Sequence, residues 1–181
     1  MRIVVTHLSR RHNGAISVAG IDLDTGQHIR PVPYGRPLRI TDTTLGRGPF
    51  DIGHTIELGP TKRVGRAPLV EDYEFDQGRT RLLGAANPAA LWNALKAQRK
   101  TRLVSIFGRD LKGRGYLSAA TDAGAGQRSL GILAPAGTVE IAITGRANRS
   151  EIRAFIRTED FSCLDLALTD LRLYSRDGLA P

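Results

Sequence analysis

The stretch Ala15–Pro33, reading AISVAGIDLDTGQHIRPVP, constrains the fold more than any other part of the chain. Two segments of period-two alternation are joined by Asp24-Thr25-Gly26, a turn sequence with glycine where a positive φ is favoured. Pairing Leu23 with Gln27 sets the remaining partners by counting outward. Asp22 then meets His28 and Gly20 meets Arg30 on one face, while Ile21 meets Ile29 and Ala19 meets Pro31 on the other. The second face is apolar and suited to a core. The first presents an acid, an imidazole and a guanidinium beside a glycine that leaves room for a ligand. This is the pattern of a half-buried antiparallel sheet with a binding surface.

Further β-rich runs at 2–8, 54–59 and 69–75 complete five predicted strands in the first 78 residues, with gaps punctuated by Gly46-Arg47-Gly48-Pro49 and Gly59-Pro60. Asn87 as cap and Pro88 as first position predict a helix through Lys96, with Leu91 and Leu95 on one side. Residues 102–107 read either as a last helical turn or as a short strand. A glycine-rich stretch, 108–131, carries Arg109, Lys112, Arg114, Tyr116 and Arg128, and reads as mobile or as a cover over a bound strand. Strands follow near 128–134, 138–144 and 151–158, then from 163 to 173. In the last, Leu164, Leu166 and Leu168 alternate one residue out of phase with Leu171 and Leu173. Either a bulge at Thr169-Asp170 or a turn capped by Thr169 resolves the conflict.

Basic residues outnumber acidic ones by 8, and 22 of the 26 are arginine. The first 50 residues hold 7 basic and 3 acidic side chains, half of that surplus, and all four histidines (His7, His12, His28, His54) lie within the first 54. Arginine forks match phosphate oxygens, so this distribution predicts an anionic partner for the N-terminal half. The single cysteine, Cys163, excludes an internal disulfide and fits a reducing, cytoplasmic setting. No apolar run reaches membrane-spanning length, and the apolar part of the first residues is too short for a signal peptide.

Short motifs along the chain resemble the prokaryotic dual OB-fold domain family of bacterial proteins. They are Ile3-Val4-Val5-Thr6-His7-Leu8, Val18-Ala19-Gly20-Ile21-Asp22, Ile29-Arg30-Pro31 and Gly48-Pro49-Phe50-Asp51-Ile52-Gly53. Further along come Val64-Gly65-Arg66-Ala67-Pro68 with Glu71-Asp72, Ile106-Phe107-Gly108, Ser129-Leu130-Gly131 and Leu168–Tyr174. The resemblance spans nearly the whole chain. It implies a mainly β protein of two tandem OB-like barrels with a short helical segment between them, and a role with nucleic acid or nucleotides. It carries no catalytic residues. The division expected is a first barrel at 1–80, a helical connector at 81–108 and a second barrel at 109–181.

In an OB barrel the second and third strands floor the ligand groove and the loop between the first two flanks it. The candidate ligand-binding set is therefore Arg30, His28, Asp22 and Gly20 on the hairpin, Arg10 and Arg11 at the loop, Tyr34 as a stacking platform, and His7. Aromatics are only 6% of the chain, few for a strong single-strand binder. No phosphate-loop, zinc-protease or nucleophile signature is present, so no catalytic residue, metal ligand or cofactor is assigned. The acidic run Glu71, Asp72, Glu74, Asp76 reads either as a Mg²⁺ site or, preferably, as counter-charge to Arg63 and Arg66. The leading function is a non-enzymatic module binding single-stranded DNA or RNA, or a nucleotide. The alternatives are an enzyme or sensor for a small anion, with Arg30 holding it and Asp22–His28 as acid–base pair, and a protein-binding accessory barrel.

Overall fold

The computed structural model describes residues 1–115, 117–146 and 149–175, so Tyr116 lies outside the described residues, as do the side chains of His12, Arg146 and Arg149. The chain is mainly β and divides into two compact units: residues 1–65 with 71–97, and residues 66–70 with 98–181.

In the first unit seven strands form one sheet: β1 (Arg2–Arg10), β2 (Ile16–Asp22), β3 (His28–Pro33), β4 (His54–Glu57), β5 (Thr61–Arg63), β6 (Asp72–Phe75) and β7 (Arg81–Ala85). Their order is β5-β6-β3-β2-β1-β4-β7. The β4 and β5 strands are pieces of one run broken at Leu58-Gly59-Pro60. The first piece pairs with β1 and the second with β6, so the order returns on itself. With β3 parallel to β6 and the other pairs antiparallel, this is the cyclic connectivity of a five-stranded OB barrel, extended by β7 along β4. Residues 81–97, expected in a connector, belong to this unit. Its strand β7 has no alternation to announce it, because Leu82 and Leu83 are adjacent in sequence and both exposed.

The core gathers Ile3, Val5, Ile29, Leu38, Phe50, Ile56, Leu58 and Phe75, all essentially buried. Phe50 and Phe75 meet edge to face, 6.2 Å between centroids, an arrangement worth about 0.5–1.5 kcal/mol beyond area burial. Two sequence features shape the sheet around it. Thr6 is the extra residue of a β-bulge between Val5, opposite Gly20, and His7, opposite Ala19. Gly20 sits where the backbones crowd: a Cβ there would lie 2.4 Å from the Val4 carbonyl oxygen. Gly20 is thus required by strand packing and does not open a ligand space.

The second unit contains α2 (Val104–Phe107), which follows α1 (Pro88–Gln98), so the stretch 102–107 holds a short separate helix over its last four residues. Its strands are β8 (Arg99–Lys100), β9 (Lys112–Arg114), β10 (Ser118–Ala120), β11 (Ile132–Leu133), β12 (Glu140–Arg146), β13 (Arg149–Ile156) and β14 (Leu164–Ala167). The order β12-β13-β14 forms one antiparallel sheet, β9 and β10 a hairpin, and β8 with β11 a parallel pair. The glycine-rich stretch is accordingly structured in part. Asp122 pairs with both Lys112 and Arg114, Asp110 accepts from the Gly126 N–H, and the Gln127 N–H reaches the Phe107 carbonyl. The phase conflict near the C-terminus resolves as strand then turn. β14 ends at Ala167, and the next turn is capped by Asp170, whose carboxylate accepts from the Arg172 N–H, where Thr169 was expected.

Leu103, Ala154, Ile156 and Leu164 form the second core, against which Phe107, Leu111 and Phe161 pack. Asp160 anchors α2 to it: its two oxygens accept from the Leu103 and Val104 N–H groups at 3.0 and 2.9 Å, and from the Thr158 hydroxyl at 2.8 Å. Partial burial pushes this carboxyl up, but the hydrogen bonds from Val104, Thr158 and Leu103 outweigh it and hold the group below its ordinary 3.8.

Gly20→Ala should lower stability by about 1–3 kcal/mol in denaturant melts, because the Val4 backbone must move. A carboxyl depressed in the folded state stabilises it above pH 3.8 and loses that contribution as pH falls through the lowered value. Thermal melts of Asp160→Asn against the parent should therefore differ at neutral pH and converge on acidification below that range.

Candidate functional site

The hairpin forms, but one step away from the expected register. Gly20 pairs with Ile29 and Ile21 with His28. The cause is the turn. The Asp22 N–H bonds the Gln27 carbonyl at 2.9 Å, closing a four-residue loop where three were expected. Asp22 then caps the loop itself, accepting from the Asp24 N–H and the Thr25 hydroxyl, both at 3.0 Å, while Gly26 adopts φ 70°. This one-residue slip moves the polar residues to opposite faces. Directly paired residues share a face, so Gly20 and Asp22 lie with Ile29, and His28 lies with Ile21. Asp22 and His28 are each only 7% exposed, and both faces of β2 are buried along most of its length. The anticipated open polar face does not exist, and an Asp22–His28 acid–base pair falls with it.

Arg30 is engaged elsewhere. β3 leaves β2 after Ile29 because Pro31 and Pro33 lack N–H groups to continue that ladder. It runs parallel to β6 instead, with the Arg30 N–H on the Glu71 carbonyl and the Tyr34 N–H on the Phe75 carbonyl. Arg30 is thereby set opposite Asp72, and its Nε donates to Oδ1 at 2.5 Å, with both side chains under one-fifth exposed. The acidic run thus supplies, through Asp72, a partner for Arg30. Asp76 pairs with Arg79 and accepts from the Gly78 N–H. Among the described residues no three His, Cys, Asp or Glu side chains gather as a metal ion would require.

The polar residues that do converge are at the loop between β1 and β2. Residues 11–15 lie against 38–39 through the Ala15–Arg39 bridge and the Ile16 N–H on the Leu38 carbonyl. The Arg39 guanidinium donates to the Asn13 carbonyl at 2.5 Å, which ties the two segments together. Arg36 grips Asp42 through two nitrogens, at 2.9 and 2.7 Å, and the Arg39 N–H donates to the same carboxylate. The Arg36 hydrogen bonds, against the upward push of partial burial, hold Asp42 below the usual carboxylate range, and Asp42 raises Arg36 in turn. Arg11, Arg36 and Arg39 are all exposed. Among the described residues neither Arg11 nor Arg39 has a carboxylate at ion-pair distance.

Tyr34 stands at the exit of β3, 76% exposed, two residues before Arg36. Arg10 ends β1 opposite Ile16, at the root of the same loop. His7 is on the bulge, its Nδ1 2.7 Å from the Thr6 hydroxyl, and is paired across the ladder with Ala19. Of the sequence-derived set, Arg10 and Arg11 lie at this loop, and Tyr34 is an exposed ring two residues before Arg36. Gly20, Asp22, His28 and Arg30 serve the barrel, and His7 belongs to the bulge. Arg36 and Arg39 were missed. The available signal was Asp42 placed three residues after Arg39, the spacing of a turn cap.

The geometry defines a protein of the OB-barrel class, a fold that commonly serves as a binding module. The match to the family described as "Dual OB-containing domain" covers residues 1–177, and the chain belongs to that family. No curated protein and no solved structure matches it. Among the described residues no helix is long and apolar enough to cross a membrane.

Two substitutions separate structural from ligand roles on the hairpin. Asp72→Ala leaves Arg30 without its partner in a mostly buried setting and should destabilise by about 1–3 kcal/mol in chemical unfolding. Asp22→Ala, by removing a turn cap, should cost about 1 kcal/mol. Neither should alter ligand affinity measured well below the melting transition.

Proposed function

We propose that the first barrel binds single-stranded nucleic acid, with phosphates held by Arg11, Arg36 and Arg39 and a base stacked on Tyr34. The observation that carries this reading is the Arg39–Asn13 tether, which joins the segment carrying exposed Arg11 to the one carrying exposed Arg36 and Arg39. Support comes also from the family, since OB barrels that hold single strands combine a cationic groove with aromatic platforms, and from the position of this loop, which flanks the groove in that fold. Asp42 has a positioning role. By holding Arg36 and the Arg39 backbone it presents the guanidinium edges without fully neutralising them.

A second reading, a mononucleotide ligand at the same surface, is favoured by the presence of one well-exposed tyrosine there, enough for a single base. The two are separated by chain length. Affinity for oligonucleotides should rise with added phosphates, whereas a mononucleotide site saturates at one residue.

Fluorescence titration with labelled DNA and RNA single strands over a salt series tests the proposal. The logarithm of affinity should fall linearly with that of salt, with a slope near −0.7 per phosphate contact. Arg11→Ala and Arg39→Ala should each flatten that slope by about one contact, and Tyr34→Ala should weaken binding by about 1–3 kcal/mol. Absent or salt-independent binding at low ionic strength overturns the reading.

A further inference from the structure

The second unit carries an unfinished edge. β12 is the outer strand of its sheet, and among the described residues no segment hydrogen-bonds to its free side. Edge strands exposing this much backbone are normally blunted by proline, lysine or a bulge. Residues 140–146, Glu-Ile-Ala-Ile-Thr-Gly-Arg, contain no proline or lysine, and their pairing with β13 is continuous. The apolar side is also incomplete. Ile141 and Ile143 pair with Ala154 and Ile152, so they share the face that forms the second core. Yet they are 61% and 55% exposed, beside a half-exposed Val139. The core stripe of β13 thus runs out onto an open shelf on β12.

The sequence of the strand is complementary to itself. In an antiparallel pairing of two copies with Ile143 at the two-fold axis, Glu140 falls opposite position 146, an arginine, on both sides of the axis. Ile141 falls opposite Gly145, and Ala142 opposite Thr144. The even positions share one register face and the odd positions the other, so the two copies of Ile143 meet on the side of the isoleucines.

We propose that β12 is a homodimerisation edge, pairing with β12 of a second copy of this chain about a two-fold axis at Ile143. The two three-stranded sheets then join as one of six strands, and the isoleucine shelves of the copies meet across the axis. Such an isologous contact closes at two copies and leaves no further edge of this kind. The proposed edge belongs to the second unit, and the proposed nucleic-acid surface to the first.

The test uses charge reversal in the full chain, without ligand. Sedimentation equilibrium of the parent should show a concentration-dependent monomer–dimer equilibrium. Glu140→Arg and Arg146→Glu each place like charges across both pairs and should weaken the dimer about tenfold or more. Mixed in equal amounts, the two variants restore both opposite-charge pairs, and a heterodimer should form with near-parental affinity. Hydrogen exchange of amides 140–146 should slow with concentration in the parent and in the mixture, and not in either variant alone. A parent that stays monomeric through high micromolar concentration overturns the proposal. So does a dimer indifferent to either reversal, or a mixture that associates no better than its components. Matching far-UV circular dichroism of all three proteins confirms that the folds compared are the same.

Discussion

The first barrel depends on where one carboxylate closes one turn. Asp22 bonds through its own backbone to Gln27 and caps the intervening loop with both oxygens, and that choice fixes the register of β2 against β3. With this register set, Ile29 lies beside Gly20 in the core, and the two prolines of β3 face a ladder that has already ended. The strand is then free to run alongside β6, which brings Arg30 to Asp72 and delivers Tyr34 to the surface. A three-residue loop would have turned the same hairpin inside out.

The division of labour among arginines follows from this arrangement. Arg30 and Arg153 lie within the sheets, each with a carboxylate at 2.7 Å or less and little exposure, so they hold strands together. Arg11, Arg36 and Arg39 emerge from loops. One of these bonds a backbone carbonyl and another shares a single aspartate, which keeps the positive potential outward. The net charge therefore says little until each guanidinium is matched to its neighbour.

Much of the fold was legible because alternation and punctuation are local. Strands β1 to β4, the helix capped by Asn87 and the β12–β13 pair all carry their own period or cap. Where the signal was weak, the determining contact was distant. β5 is three residues long, β7 presents two adjacent leucines, and the β9–β10 hairpin lies in a stretch whose glycines masked its pairing. The site was half legible for the same reason. The polar composition of the hairpin was read correctly and its register was not, since the choice between Leu23 and Asp22 as the closing residue rests on a side-chain cap. Arg36 and Arg39 became visible only when the backbone laid residues 38–39 against the loop at 11–15.

The bulge in β1 separates two properties that a strand usually couples. Between Ile3 and Arg10 every residue except Thr6 has a partner across the ladder with β2, and the partners on either side of it, Gly20 and Ala19, are consecutive. Thr6 therefore adds length to β1 without adding a rung. What it contributes is bend and twist, the geometric quantities by which a flat ribbon becomes a curled one. The ladder would be complete without this residue; the curvature that lets the run 54–63 reach both β1 and β6 is where its presence is felt.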